Sequence, residues 1–216
     1  MSLEPIATPE PKKTGHRWVD IVVALSALSI SVVSIFVAQG TSHRMERLTQ
    51  ANSLPFIQLD TGNANENRER ELSFIVSNVG TGPARLHAFH FEVDDQPLSN
   101  DGNPLDQLLL ACCESELNAA VEAANGDRRT ALRDDLSSPV ARRFLAVGQD
   151  VTALRWRMTP ENELVWRALD RARQSGRIRM DVCYCSVFDE CWVSRTGEFP
   201  PREVNSCEAS TEAPTP

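Results

Sequence analysis

At 216 residues with 41% hydrophobic side chains, the chain has room for one domain of ordinary size plus an anchor, and two full domains would be crowded. Residues 1–50 carry five of the 22 basic and four of the 30 acidic side chains, so the remainder holds seventeen against twenty-six; that net of −9 repels phosphates and excludes nucleic acid as a partner. Both lysines, Lys12 and Lys13, lie in the first fifty residues, which removes Schiff-base chemistry and a phosphate-loop lysine from everything that follows.

A short tail of seventeen residues comes first. From Ile21 to Ala38 the chain then runs eighteen residues without a charge. At about 1.5 Å per residue this crosses most of a hydrocarbon core roughly 30 Å thick. With Trp18, Val19 and Gln39 added, residues 18–39 are expected to be a transmembrane helix in contact with the lipid bilayer. The apolar run exceeds the usual signal-peptide length of about 7–15 residues, and Phe36 and Ala38 make a poor cleavage site, so the segment reads as a retained signal anchor.

Lys12, Lys13 and Arg17 precede the helix, against Arg44 and Arg47 after it, which orients the N-terminus to the cytoplasm. All six cysteines (Cys112, Cys113, Cys183, Cys185, Cys191, Cys207) follow the helix, on the side that would then be oxidising. The expectation is a single-pass protein of the cell inner membrane with its domain periplasmic or extracellular. Within the anchor, Ala24, Ala27, Ser31, Ser34 and Ala38 recur at spacings of three and four, a stripe on one helix face that would let two copies pack as a homodimer.

Residues 40–54 read as a polar helical stalk ending before Pro55, because a residue preceding proline disfavours helix. Residues 55–197 read as one β-rich domain with helical insertions. Its strand candidates are Pro55 to Asp60, Glu71 to Ser77 and Arg85 to Val93, with a polar loop from Thr61 to Arg70 and a turn from Asn78 to Ala84. In that turn Gly80 and Gly82 are expected to supply positive φ. The alternation of Leu86 and Ala88 against Phe89, Phe91 and Val93 calls for a bulge near Ala88.

One helix is predicted from Pro104 to about Asn125, with weaker helical pieces at Arg128 to Leu136 and Pro139 to Ala146. Another starts around Thr159, Pro160 and Glu163 and ends at Gly176. Arg177 to Cys185 and Cys191 to Arg195 form a hairpin in which Asp181, Cys183 and Cys185 share one face. Residues 198–216 are polar and proline-containing and read as a disordered tail. The fold class expected is α+β: an N-terminal transmembrane helix followed by a β-sandwich-like domain with inserted helices.

The order of anchor, polar stalk and proline before the first strand, followed by Asn78-Val-Gly80-Thr-Gly82-Pro83-Ala84, resembles uncharacterised single-pass bacterial membrane proteins, as does Cys183-Tyr-Cys185-Ser-Val-Phe-Asp-Glu-Cys191-Trp192. The resemblance implies a small β-rich domain with helical insertions and transfers no activity.

Catalytic constellations are missing: there is no Gly-x-Ser-x-Gly elbow and no His-Glu-x-x-His. Asp94-Asp95 and Asp134-Asp135 read as solvated surface, and Trp156, Trp166 and Trp192 as core or rim. His87 and His90 face opposite sides of a regular strand, so both reach one ion only if the bulge turns one of them; ordinary histidines are expected, with no metal or cofactor.

The cysteine spacings suit structural disulfides better than a redox or zinc module. Cys183 and Cys185 project from one strand face about 6.8 Å apart and are not expected to join each other. Cys185 to Cys191 is the best local pair, provided the loop between them is odd-numbered. Cys112 and Cys113 diverge by about 100° on a helix and are expected to have separate partners. The reading is therefore a membrane-tethered interaction or sensory module with a protein partner still to be identified; the rival is an envelope thiol-disulfide oxidoreductase using Cys183, Cys185 or Cys191.

Overall fold

The computed structural model describes residues 17–99 and 101–207, so the N-terminal tail and the last nine residues lie outside it. The chain divides into two units between Thr49 and Gln50. The first is dominated by α1 (Arg17–Ala51), whose segment Trp18–Gln39 is long and apolar enough to cross a membrane and consists of exposed residues.

The second unit is α+β. In chain order it contains β1 (Ile57–Ala64), β2 (Arg70–Asn78), β3 (Ala84–Val93), β4 (Gln96–Pro97), α2 (Pro104–Cys112), α3 (Glu114–Ala123), α4 (Arg128–Ala131), β5 (Asp135–Ser137), β6 (Arg143–Leu145), β7 (Asp150–Arg157), α5 (Glu163–Gln174), β8 (Ile178–Cys185), β9 (Cys191–Arg195) and β10 (Arg202–Val204). The strands form two antiparallel sheets, one in the order β1-β2-β7-β5, the other β10-β9-β8-β3-β4 with β6 also paired to β3.

The inward faces of the two sheets make one core. Phe74 of the first sheet meets Phe91 of the second edge-on, ring centroids 5.2 Å apart, and Phe89 stands 5.0 Å from Phe91. The phase change expected along β3 is real, because its pairing with β8 slips between Leu86 and Ala88. That bulge is what brings Leu86, Phe89, Phe91 and Val93 to the same buried side.

Between β7 and β8 the chain crosses through α5, which buries Val165, Trp166, Ala168, Leu169 and Ala172 on one stripe and leaves Arg167 and Arg171 outside. Trp166 donates its indole N–H to the Trp156 carbonyl at 3.1 Å, and Trp156 donates to Arg133 at 3.0 Å, so two fully buried tryptophans are satisfied in sequence. Asn162, not Thr159, stands at the N-cap of α5; its amide oxygen accepts from the Thr159 N–H at 2.7 Å and closes the turn that feeds the helix.

Several expectations are corrected. The polar stretch after Asp60 continues β1 to Ala64 and enters β2 at Arg70, leaving a shorter turn. Asp135–Ser137 and Arg143–Leu145, read as helical, are short strands, because β7 and β3 offer unpaired edges there. β7 itself has no counterpart in the sequence reading, yet it is a central strand of the first sheet. The tail is folded as far as Cys207: β10 pairs with β9 and Cys207 is cross-linked to Cys183.

The turn at Asn78 works differently from the expectation. Neither Gly80 nor Gly82 has positive φ; an added Cβ at Gly82 would overlap the Ser53 carbonyl, and one at Gly80 would overlap the backbone around Phe56. The glycines are there for close backbone approach. Asn78, 1% exposed, ties the same region together. Its amide nitrogen donates to Gly82 at 2.8 Å and Leu145 at 3.0 Å, while its oxygen accepts from Gly80 at 3.1 Å and Phe56 at 3.3 Å.

Candidate functional site

The outer face of β8 carries Cys183 and Cys185. Cys185 stands directly opposite Cys191 on β9, Cα atoms 4.0 Å apart, and the two are disulfide-bonded. The connection between them has five residues, the odd number that puts both side chains on one face. Ser186 shapes it: its hydroxyl accepts from Phe188 at 3.1 Å and Glu190 at 3.3 Å, and its N–H donates to the Glu190 carbonyl at 2.8 Å.

Cys183 is bonded to Cys207, Cα atoms 5.6 Å apart, which draws the end of the described chain over the sheet. The Sγ atoms of Cys185 and Cys207 lie 3.7 Å apart, and with Ala88 and Val193 the four half-cystines form a second, smaller core. Each of the four is no more than 5% exposed. Thiol exchange needs in-line access for an attacking thiolate, and burial of this degree withholds it; the arrangement is that of a staple.

Cys112 and Cys113 are bonded to each other, against the expectation of separate partners. That expectation assumed one continuous helix. Instead the helix breaks: Cys113 leaves helical backbone at φ −148°, ψ 36°, serving at once as C-cap of α2 and N-cap of α3. The pair borders a small recess with Glu116, Arg171 and Arg177. Among the described residues no cysteine is free.

A cleft of about 550 Å³ opens on the domain. Phe89 and Phe91 of β3 and Ala153 of β7 supply its apolar wall, the segment Ser137–Arg142 and the approach to α2 supply its rim, and its polar side chains include His87, Gln107 and Arg142. Its volume lies within the range of about 300–1,000 Å³ that accepts a small molecule or a partner's side chains. No sequence signal marks the cleft, because it is assembled from β3, β7 and the β5–β6 connection, which meet only in the fold.

His87 and His90 are not brought together. His87 sits at the bulge, exposed and on the cleft, while His90 lies beside Glu92 and Asp181 on the outer face of the second sheet. Asp94 and Asp95 take positive φ in the β3–β4 turn and pair with Arg177 and Arg179. Two hydrogen bonds from Arg177, at 2.8 and 2.6 Å, hold the Asp94 carboxyl below its ordinary range. Trp156 and Trp166 are core, and Trp192 packs partly buried beside Tyr184.

In α1, Ala24, Ala27, Ser31, Ser34 and Ala38 are all exposed. Ser31 and Ser34 return their hydroxyls to the carbonyls of Ala27 and Ile30, each at 2.8 Å, so their polar groups are satisfied within the helix.

No curated protein and no solved structure matches the chain. The family described as Domain of unknown function (DUF8453) matches over residues 19–196, from the start of the apolar segment of α1 through β9. With so much of its length inside that match, the chain belongs to the DUF8453 family.

Proposed function

We propose that this chain is a membrane-tethered interaction module without catalytic activity, anchored in the cell inner membrane by residues 18–39, with its N-terminus cytoplasmic and its disulfide-braced domain periplasmic or extracellular. The observation that carries the reading is the pairing of an apolar helix, unburied over Trp18–Gln39, with a domain whose cysteines are all cross-linked. A tether holds a domain at the membrane surface, and cross-links suit an oxidising compartment. Its protein partner is to be found by association at the membrane.

Self-association of the anchor is part of the proposal. The satisfied hydroxyls of Ser31 and Ser34 leave a smooth small-residue face beside Ala24, Ala27 and Ala38 on which a second helix can pack closely. Replacing Ala27 and Ser31 together with leucine is expected to lower the signal in a membrane two-hybrid assay of the anchor, and Ser29→Leu to leave it unchanged.

The test of the whole reading is differential alkylation of intact cells followed by mass spectrometry and a cross-linked pull-down from membranes. Six protected cysteines on a membrane-retained, uncleaved chain, with a reproducible partner, support it. Release of a shortened chain from the membrane would overturn the anchor, and a thiol that cycles between labelled and unlabelled states would favour the oxidoreductase instead.

A further inference from the structure

On the outer face of the second sheet, a row of polar side chains crosses three strands. His90 of β3 is opposite Asp181 of β8, which is opposite Arg195 of β9, and Glu92, two residues from His90, lies on the same face of β3. His90 Nε2 stands 3.6 Å from Glu92 Oε1 and 4.0 Å from Asp181 Oδ1, and one donor atom from each of the three residues falls within 4.8 Å of the others.

Both carboxylates are buried, Glu92 at 4% and Asp181 at 6% exposure. Among the described residues the arginine within ion-pair distance of both is Arg195, which donates Nη2 to Glu92 Oε1 at 2.9 Å and Nε to Asp181 Oδ2 at 3.3 Å, with Glu198 a third acid on Nη1 at 3.5 Å; Arg179, cross-strand from Glu92, is paired with Asp95. Two buried negative charges against one positive leave a deficit that the low-dielectric interior makes expensive. A separate observation points the same way: Glu92 Oε2 is buried with no hydrogen-bond partner among the described residues.

We propose that His90, Glu92 and Asp181 form a binding site for a divalent first-row transition-metal ion of the zinc type. An imidazole nitrogen with two carboxylates is a mixed N/O donor set, which favours such ions over calcium or magnesium, whose sites are built from oxygen. Ligand atoms each about 2.0–2.2 Å from one ion lie no more than roughly 4.4 Å apart. The 3.6 and 4.0 Å separations from His90 fall inside that limit, and the two carboxylate oxygens lie within 4.8 Å of each other.

Asp181 offers Oδ1 on the His90 side while Arg195 holds Oδ2, the outer-partner arrangement that orients a ligating carboxylate. The His90 side chain is 19% exposed, which provides an entry path and leaves the remaining coordination positions to water. His87, at the bulge and facing the cleft, takes no part.

The experiment uses the full-length chain in detergent micelles with its disulfides intact, dialysed against Zn²⁺ and assayed by elemental mass spectrometry. Wild type and His87→Ala are expected to retain one zinc per chain. His90→Gln and Asp181→Asn, with unchanged circular dichroism, are expected to weaken binding by about 100-fold or more, since loss of an outer partner alone costs about 10–100-fold. His90→Gln alters a partly exposed position and keeps the test open if Asp181→Asn fails to fold. No retention by folded wild type, or equal retention by wild type and His90→Gln, overturns the proposal.

Discussion

Cys112 and Cys113 are neighbours in sequence and are bonded to each other, and Cys113 stands outside helical backbone at φ −148°, ψ 36° between two helices. No side chain caps the start of α3. Replacing both cysteines with alanine removes the constraint, and α2 and α3 are expected to join into one helix over Pro104–Ala123. The checks are a more negative ellipticity at 222 nm and new hydrogen-exchange protection at Glu114, Ser115 and Glu116.

The three disulfides should rank by the chain they close. Cys183–Cys207 spans 24 residues and Cys185–Cys191 six, which by loop-closure entropy correspond to about 3.5 and about 2.2 kcal/mol, whereas the adjacent Cys112–Cys113 pair closes almost nothing and should contribute under about 1 kcal/mol. Urea unfolding of the three paired Cys→Ala variants measures the order. A vicinal variant losing more than the Cys183–Cys207 variant would refute it.

Asn78 makes four hydrogen bonds to backbone groups of Phe56, Gly80, Gly82 and Leu145 while almost wholly buried. Asn78→Ala strands those groups without water, and a loss of about 3 kcal/mol or more is expected. Asn78→Asp should be no better, because a carboxylate donates nothing to Gly82 and Leu145. Gly82→Ala tests the same junction from the other side, since its methyl meets the Ser53 carbonyl. In urea, each should lower the midpoint and leave the m-value unchanged.

Tyr184 is the protein's one tyrosine, and burial pushes its phenol above the ordinary 10, against the opposing hydrogen bonds from Ser194 and the Ile57 backbone. The folded state therefore keeps its proton at pH values where the unfolded state has lost it. Stability is unaffected by this group below about pH 10 and falls as pH rises through that value toward the folded pKa. Absorbance at 295 nm should show the tyrosinate forming only above pH 10 in the folded chain, and Tyr184→Phe should remove that part of the alkaline loss.

The apolar run Ile21–Ala38, the β3 bulge, the β8–β9 hairpin and the acidic, lysine-free domain were all legible in the sequence. Each is a local pattern: a length of apolar chain, an alternation that changes phase, a hairpin between two alternating runs. β7 was not legible, because its residues Asp150–Arg157 mix apolar and charged side chains and become a central strand only when β2 and β5 flank them. The short strands β5 and β6 have too few residues to show a period and are fixed by the edges they meet.

The same division runs through the candidate sites. Cys185 and Cys191 are close enough in sequence for alternation to put them opposite each other, whereas the partner of Cys183 depends on where β10 lays the chain. Helical periodicity misplaced Cys112 and Cys113, because one covalent bond outweighs the propensity of its two residues. His90 and Glu92 announce a shared strand face, but Asp181 and Arg195 join them only through strand register, a relation between residues up to 105 positions apart that no local pattern carries.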